Sequence, residues 1–143
     1  MAAVLDRLGL DLAQLSGEET PSLIGDPDSP LLGRSFKALR PTTFAEAEAE
    51  AEWYLPPEPV MDRPSLLLDA YHPTLRGGTG RVADWEMAAR LAAIVPQLML
   101  AGGLQPENIA AAVRKVQPFA VDVASGVEAV PGRKDHEIGR AHV

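Results

Sequence analysis

The 143-residue sequence contains no cysteine, so these residues can form no disulfide, hold no metal through thiolate and supply no thiol nucleophile. Positive charge is scarce: 13 Lys and Arg stand against 20 Asp and Glu, for a net charge of −7. That balance argues against nucleic acid as a partner, because such binders present a basic stripe. No run of about 18 apolar residues occurs, so no membrane-spanning helix is expected. The opening MAAVLDRLGLDL is acidic, and its apolar core is too short for a signal peptide. These absences point to a soluble cytoplasmic protein with neither nucleic acid nor membrane as partner. His72, His136 and His142 follow no metal-ligand spacing, and no metal or cofactor is expected. What is present is a chain 46% hydrophobic, enough for one domain with a sizeable core.

The stretch Ser65–Trp85, SLLLDAYHPTLRGGTGRVADW, organises the rest. An apolar run, Leu66–Leu68, stops on the carboxylate of Asp69. A glycine-rich loop follows (Gly77, Gly78, Gly80), and a helical pattern opens at Asp84 and Trp85. Strand, loop and helix in that order place an acid at a strand's C-terminal tip, where α/β folds put their chemistry. The segment GTGRVA formally fits G-x-G-x-x-A, but it lies too far past its strand for a dinucleotide turn. GGTGR lacks the Lys and Ser/Thr of a P-loop. Ser125 has no G-x-S-x-G elbow around it, which argues against a serine hydrolase.

The same grammar recurs along the chain. Residues 3–9 read as the last turns of a helix stopped by Gly9, so the chain seen here starts in mid-fold. Leu10–Leu15 reads as a strand, and Thr20–Gly33 as short helix plus loop. Ser35–Leu39 is a second strand, ended by Arg40 and Pro41. TTFAEAEAEAEWY alternates like a strand, yet Ala and Glu favour helix. Thr43 and Glu46 form a capping box that starts it. Its glutamates are expected on a solvated face, with weak repulsion between Glu46 and Glu50 and between Glu48 and Glu52. Prolines 56, 57, 59 and 64 carry the chain to the strand at Leu66. Val82–Val95 is expected helical, with Met87, Leu91, Ile94 and Val95 as its apolar stripe and Trp85 in the core. Gln97–Leu100 is a fourth strand ending in Gly102 and Gly103. Pro106 suits the first position of the next helix. Phe119–Ala124 is a fifth strand, ending in Ser125 and Gly126, and Gly132–His142 a terminal helix. Alternating strands and helices predict a parallel sheet with helices outside and all strand tips on one rim. The glycines of Gly102–Gly103 and Ser125–Gly126 let backbone N–H groups approach an anion, and a helix start adds a favourable dipole, which predicts a phosphate site.

LLLDAYHPTLRGGTGRVADW, LMLAGGLQPENI and VDVASGVEAVPGRKD, with QLSGEE near the start, strongly resemble phosphoribosylanthranilate isomerase. The resemblance is most specific over residues 66–135. It implies a (β/α)8 TIM-barrel fold, of which residues 1–143 form a single partial barrel domain of about five parallel strands, lacking the family's first strands. The implied reaction is the Amadori rearrangement of N-(5-phosphoribosyl)anthranilate, a step of tryptophan biosynthesis, on a small phosphorylated substrate. By resemblance Asp69 is the general acid that opens the ribose ring, and Asp122 faces the anthranilate side. Gly102, Gly103, Ser125 and Gly126 bind phosphate, and Gly77, Gly78 and Gly80 belong to a loop over the site.

The sequence departs from the family pattern at three places. Ser16 stands where a QLHG motif has histidine. The family's general base, a cysteine in a KICG-type motif, has no counterpart, nor has the arginine-bearing segment that helps hold the anthranilate carboxylate. An incomplete copy of the enzyme, such as a gene model begun at an internal start codon, is therefore one expectation. The alternative is an inactive half-barrel, or a subunit completed by a second chain that supplies the base. Five strands cannot close an eight-strand barrel, so self-association through open sheet edges is also expected.

Overall fold

The computed structural model describes residues 1–70 and 84–140. The expected covering loop with Gly77, Gly78 and Gly80, together with His72 and His142, lies outside the described residues.

The elements run α1 (Ala2–Leu8), β1 (Ala13–Leu15), α2 (Ser22–Gly25), β2 (Ser35–Leu39), α3 (Phe44–Tyr54), β3 (Leu66–Asp69) and α4 (Trp85–Ala92). They continue with β4 (Leu98–Ala101), α5 (Ile109–Val116), β5 (Ala120–Val121), a 3-10 turn (Ser125–Val127), β6 (Glu128–Val130), β7 (Arg133–Lys134) and α6 (His136–Arg140). Strands β1 to β5 form one sheet in sequence order, and every pair is parallel. That is the α/β architecture the alternation predicts.

Local chemistry sets the boundaries. Gly9 takes the left-handed conformation (φ 63°) that ends α1, and Leu10 N–H returns to the Leu5 carbonyl at 2.9 Å. Residue 10 is thereby committed to the helix stop, so β1 begins at Ala13 instead of Leu10. Thr43 caps α3 by accepting from Glu46 N–H at 3.2 Å. The Glu46 carboxylate reaches back to Thr42, accepting from its N–H at 2.7 Å and its hydroxyl at 2.8 Å. The box therefore closes one residue earlier than its usual form. Asp84 caps α4 by accepting from Met87 N–H at 2.9 Å.

Three further expectations are corrected. Helix α5 begins at Ile109, not Pro106, because Asn108 holds a turn ahead of it. Its side chain accepts from Gln105 N–H at 3.0 Å and donates to the Gly103 carbonyl at 2.9 Å. The fifth strand pairs only at Ala120 and Val121, although Phe119 and Asp122 extend its hydrogen bonds to Leu98 and Leu100. The expected helix over 132–142 is an antiparallel hairpin of β6 and β7, followed by α6. Pro131-Gly132 makes the turn, with Gly132 at φ 80°. Asp135 then starts α6 by accepting from Glu137 and Ile138 N–H groups.

The main core lies between sheet and helices. Leu39, Leu66, Leu68, Leu98 and Leu100 pack against Ala47 and Ala51 of α3, Met87, Ala88 and Leu91 of α4, and Ala112 and Val116 of α5. A second cluster joins Ala13 and Leu15 of β1 to Leu5, Ile24 and Leu31. The opposite face carries a smaller cluster of Phe36, Ala38, Leu67 and Ala101. Among the described residues, no helix is long and apolar enough to cross a membrane.

Candidate active site

Side chains alternate across a strand, so each strand offers one set to the helices and the other to the concave face. In β3, Leu66 and Leu68 point to the helices, which leaves Leu67 and Asp69 on the concave side. The same parity puts Met99 and Ala101 of β4 there, and Asp122 just past β5. Registers pair Leu39 with Leu68, Asp69 with Ala101, and Leu100 with Val121. One step beyond these pairs, Arg40, Asp69, Ala101 and Asp122 fall on a single row across the strand tips. That row is the floor of a cleft of about 450 Å³, lined also by Gln14, Gly102, Gly103 and Ser125.

Asp69 is partly exposed in this cleft, and its Oδ2 receives Arg40 Nε at 3.1 Å. Arg40 itself is largely exposed (71%), held by its place after β2 and by this ion pair. The neighbouring Ala70 and Asp84 are hydrogen bonded to each other, Asp84 N–H to Ala70 C=O at 3.1 Å. The two chain ends flanking residues 71–83 therefore meet beside Asp69.

At the other end, Gly102 and Gly103 both have positive φ (96° and 64°), a conformation that side-chain-bearing residues rarely adopt. Gly126 packs against the backbone of the Leu104 loop: a Cβ there would stand 1.9 Å from the Leu104 carbonyl oxygen. The loop after β4 and the turn after β5 are thus locked together. Gly102, Gly103 and Ser125 line the cleft, while Gly126 is not in its lining and serves the close approach behind it. Ser16 accepts a hydrogen bond from Gln14 Nε2 at 3.1 Å, so the residue in the histidine position holds the amide that borders the cleft.

A second cleft of about 380 Å³ lies between the β1–β2 tips and α3. Its centre is Lys37, buried, donating to Glu19 Oε2 at 2.7 Å and to the Gly17 carbonyl. The Tyr54 ring lies 5.3 Å from Nζ, and its hydroxyl donates to the Glu19 carbonyl at 2.7 Å. The hydrogen bond from Lys37 holds the Glu19 carboxyl below its ordinary 4.5. Burial, and secondarily the charge of Glu46, push Glu50 above 4.5. Glu50 thus departs from the expected solvated face of α3, although its repulsion with Glu46 is as expected. Among the described residues no group of His, Cys, Asp and Glu could hold a metal ion.

Of the residues singled out in the sequence, Asp69, Asp122, Gly102, Gly103 and Ser125 line one cleft. Sequence reasoning missed Arg40, Gln14 and Lys37. Counting alternation forward from Leu39 would have put Arg40 on the same face as Asp69, because both follow a helix-facing leucine, while the β2–β3 register sets them side by side.

A parallel sheet, helices on one side and a polar cleft over the strand tips define an α/β barrel-type protein with its site at the C-terminal rim. The family model for N-(5'-phosphoribosyl)anthranilate (PRA) isomerase matches residues 1–143, and the chain belongs to that family. The N-(5'-phosphoribosyl)anthranilate isomerase of Pelobacter propionicus is 45% identical over 91% of this chain and 56% of its own length. The Geobacter sp. (strain M21) protein is also 45% identical, over 96% of this chain and 61% of its own. The crystal structure of phosphoribosyl anthranilate isomerase from Thermotoga maritima superposes with a TM-score of 0.72 at 33% identity, covering 95% of this chain and 61% of that one. A further isomerase structure, in complex with reduced 1-(o-carboxyphenylamino)-1-deoxyribulose 5-phosphate, gives a TM-score of 0.66 at 30% identity over 95% and 59%. The chain spans about three-fifths of the length of the relatives it matches.

Proposed function

We propose that these residues form the acid-and-phosphate side of a phosphoribosylanthranilate isomerase, acting on N-(5-phosphoribosyl)anthranilate in tryptophan biosynthesis. The observation that carries the reading is the row Asp69–Ala101–Asp122 beside the Gly102–Gly103 and Ser125 corner in one cleft. The substrate phosphate takes the glycine corner, where backbone N–H groups can approach an anion without a Cβ in the way. Gly126 supports this corner by letting the two loops meet. The ribose then lies over Asp69. Protonated Asp69 gives its proton to the ring oxygen as the nitrogen lone pair opens the C–O bond to a Schiff base. A general base removes the proton from the adjacent sugar carbon, and the resulting enamine tautomerises to the aminoketose. Asp122, exposed at the cleft wall, borders the anthranilate, and by resemblance Gly77, Gly78 and Gly80 belong to a loop over the site. The 143 residues act as one partial barrel domain and use no cofactor.

Asp69→Asn tests the acid role: turnover should fall about 10²- to 10⁴-fold, the usual contribution of a positioned acid, with phosphate affinity kept. Undiminished turnover would remove Asp69 from the mechanism.

A second reading concerns the base. The sequence holds no cysteine, and β1 and β5 form the edges of the sheet among the described residues. On this reading the base comes from a second polypeptide carrying the relatives' remaining strands, which pairs with those edges. Loss of substrate fluorescence, followed with the purified chain alone and mixed with such a polypeptide, separates the two. Turnover by the chain alone supports self-sufficient catalysis, and turnover only on mixing supports the split enzyme. If neither mixture turns over and inorganic phosphate fails to bind, both readings fall.

A further inference from the structure

We propose that Lys37 is a positioning residue for the cleft, an inference that rests on the functional reading above. Its buried ammonium fixes the loop Ser16–Glu19 and, through Ser16, the amide of Gln14. Registers place Leu15, Lys37, Leu66 and Leu98 on one row across four strands, on the helix-facing side. The three leucines are at most 2% exposed, and Lys37 is buried beside them. Taking an ammonium out of water is costly unless it is paired and hydrogen bonded. A fourth leucine would fill the row without that cost, so packing gives no reason for a lysine here.

The reason lies at the strand tips. Ser16, Gly17 and Glu18 are exposed, so the loop after β1 has little packing of its own. Polar ties hold it instead. Lys37 Nζ donates to the Gly17 carbonyl and to Glu19 Oε2, the latter at 2.7 Å. Glu19 Oε1 accepts from Gly17 N–H at 3.2 Å, and Tyr54 of α3 donates its hydroxyl to the Glu19 carbonyl at 2.7 Å. Between these anchored residues and β1 stands Ser16, whose Oγ receives Gln14 Nε2 at 3.1 Å. Gln14 lines the same cleft as Asp69. One ammonium on the helix side thus governs an amide on the concave side. With one N–H spent on Ser16, that amide keeps its second N–H and its carbonyl oxygen for the hydroxyl groups of a sugar phosphate.

Calorimetry with two ligands tests the link: reduced 1-(o-carboxyphenylamino)-1-deoxyribulose 5-phosphate, which carries sugar hydroxyls, and inorganic phosphate, which carries none. Gln14→Ala should weaken the first by about 2- to 10-fold, the range of one hydrogen bond, and leave the second unchanged. Lys37→Met should lose a similar factor for the first ligand only. The double variant should lose no more than either substitution alone, because both remove one and the same contact. Where Lys37→Met does not fold, Glu19→Ala cuts the same tether from its more exposed end (24% against 8%) and should show the same coupling to Gln14. Equal weakening of both ligands, or additive losses in the double variant, would make Lys37 a residue of stability alone and overturn the inference. Full affinity in a folded variant at Lys37, Glu19 or Gln14 would overturn it too. If the unsubstituted chain binds neither ligand, the functional reading falls and takes the inference with it.

Discussion

The two faces of the five-stranded sheet are built from alternate residues of the same strands, yet they obey different rules. The helix-facing set is aliphatic except for the buried Ser35 and Lys37 of β2: Leu39, Leu66, Leu68, Leu98 and Leu100 are each at most 2% exposed. The concave set changes character along the strands, from Phe36 and Leu67 near the base to Arg40, Asp69 and Asp122 at the tips. One face is committed to burial, the other to a graded transition from packing to polar chemistry. A single-residue slip in register would exchange the two sets and destroy both, which is why the leucines also determine where the carboxylates point.

This contrast can be broken from either side. The largest effect is expected from Asp69→Asn, which should cost turnover by the factor given above while moving the thermal midpoint little. Leu68→Ala, one residue away on the other face, should do the reverse. It empties a fully buried position and should destabilise by about 2–5 kcal/mol in denaturant titration, with phosphate binding retained wherever the protein is folded. If the two substitutions behaved alike, the division of labour between the faces would be wrong.

Gly126→Ala probes the seam where the rim loops meet. The added Cβ would collide with the Leu104 carbonyl, so one loop must move, at a cost of about 1–3 kcal/mol. Inorganic phosphate affinity should fall with it, read by calorimetry. Unchanged affinity would place the anion elsewhere on the rim.

The smallest effect concerns Glu50, at the border between the helix layer and the second cleft. Its carboxyl titrates above the unfolded-chain value of 4.5, so the folded state binds the proton more tightly than the unfolded state. Stability from this group therefore falls as pH rises through the interval just above 4.5, and is recovered on acidification. Glu19, held low by Lys37, works in the opposite direction and loses its contribution as pH falls through the interval below 4.5. Glu50→Gln should flatten the first slope in thermal melts taken from pH 4.5 upward and leave the second. A slope that persists in the variant would assign it to another group.

Much of the fold was legible in the sequence because short-range chemistry determines it. Gly9, Thr43 and Asp84 are helix signals that act on neighbouring residues, and they operate as read. The Ser35–Leu39 strand and the leucine run ending in Asp69 were also read at their observed places. The failures came where a local signal met a longer contact. Pro106 suits a helix start, but Asn108 reaches back to Gly103 and delays α5. Residues 132–142 read as one helix, yet Lys134 bonds to Glu128 and to the Ala124 carbonyl, drawing Arg133 and Lys134 into a hairpin so that helix begins only at His136. Glu50 reads as one of four equivalent glutamates until α3 is laid on the sheet and turns it toward Lys37.

By itself, the sequence determined the order of β1 to β5 with the helices between them and the parallel α/β class, and it singled out Asp69 and the glycine corner as candidates, since each depends on residue type and spacing over a few positions. Only the tertiary structure decided which of those residues meet. The register of β2 against β3 set Arg40 beside Asp69, and the missing Cβ of Gly126 let two loops close on one corner. Such pairings depend on strands far apart in the chain, and the number of residues between them says nothing about which side chains will stand opposite.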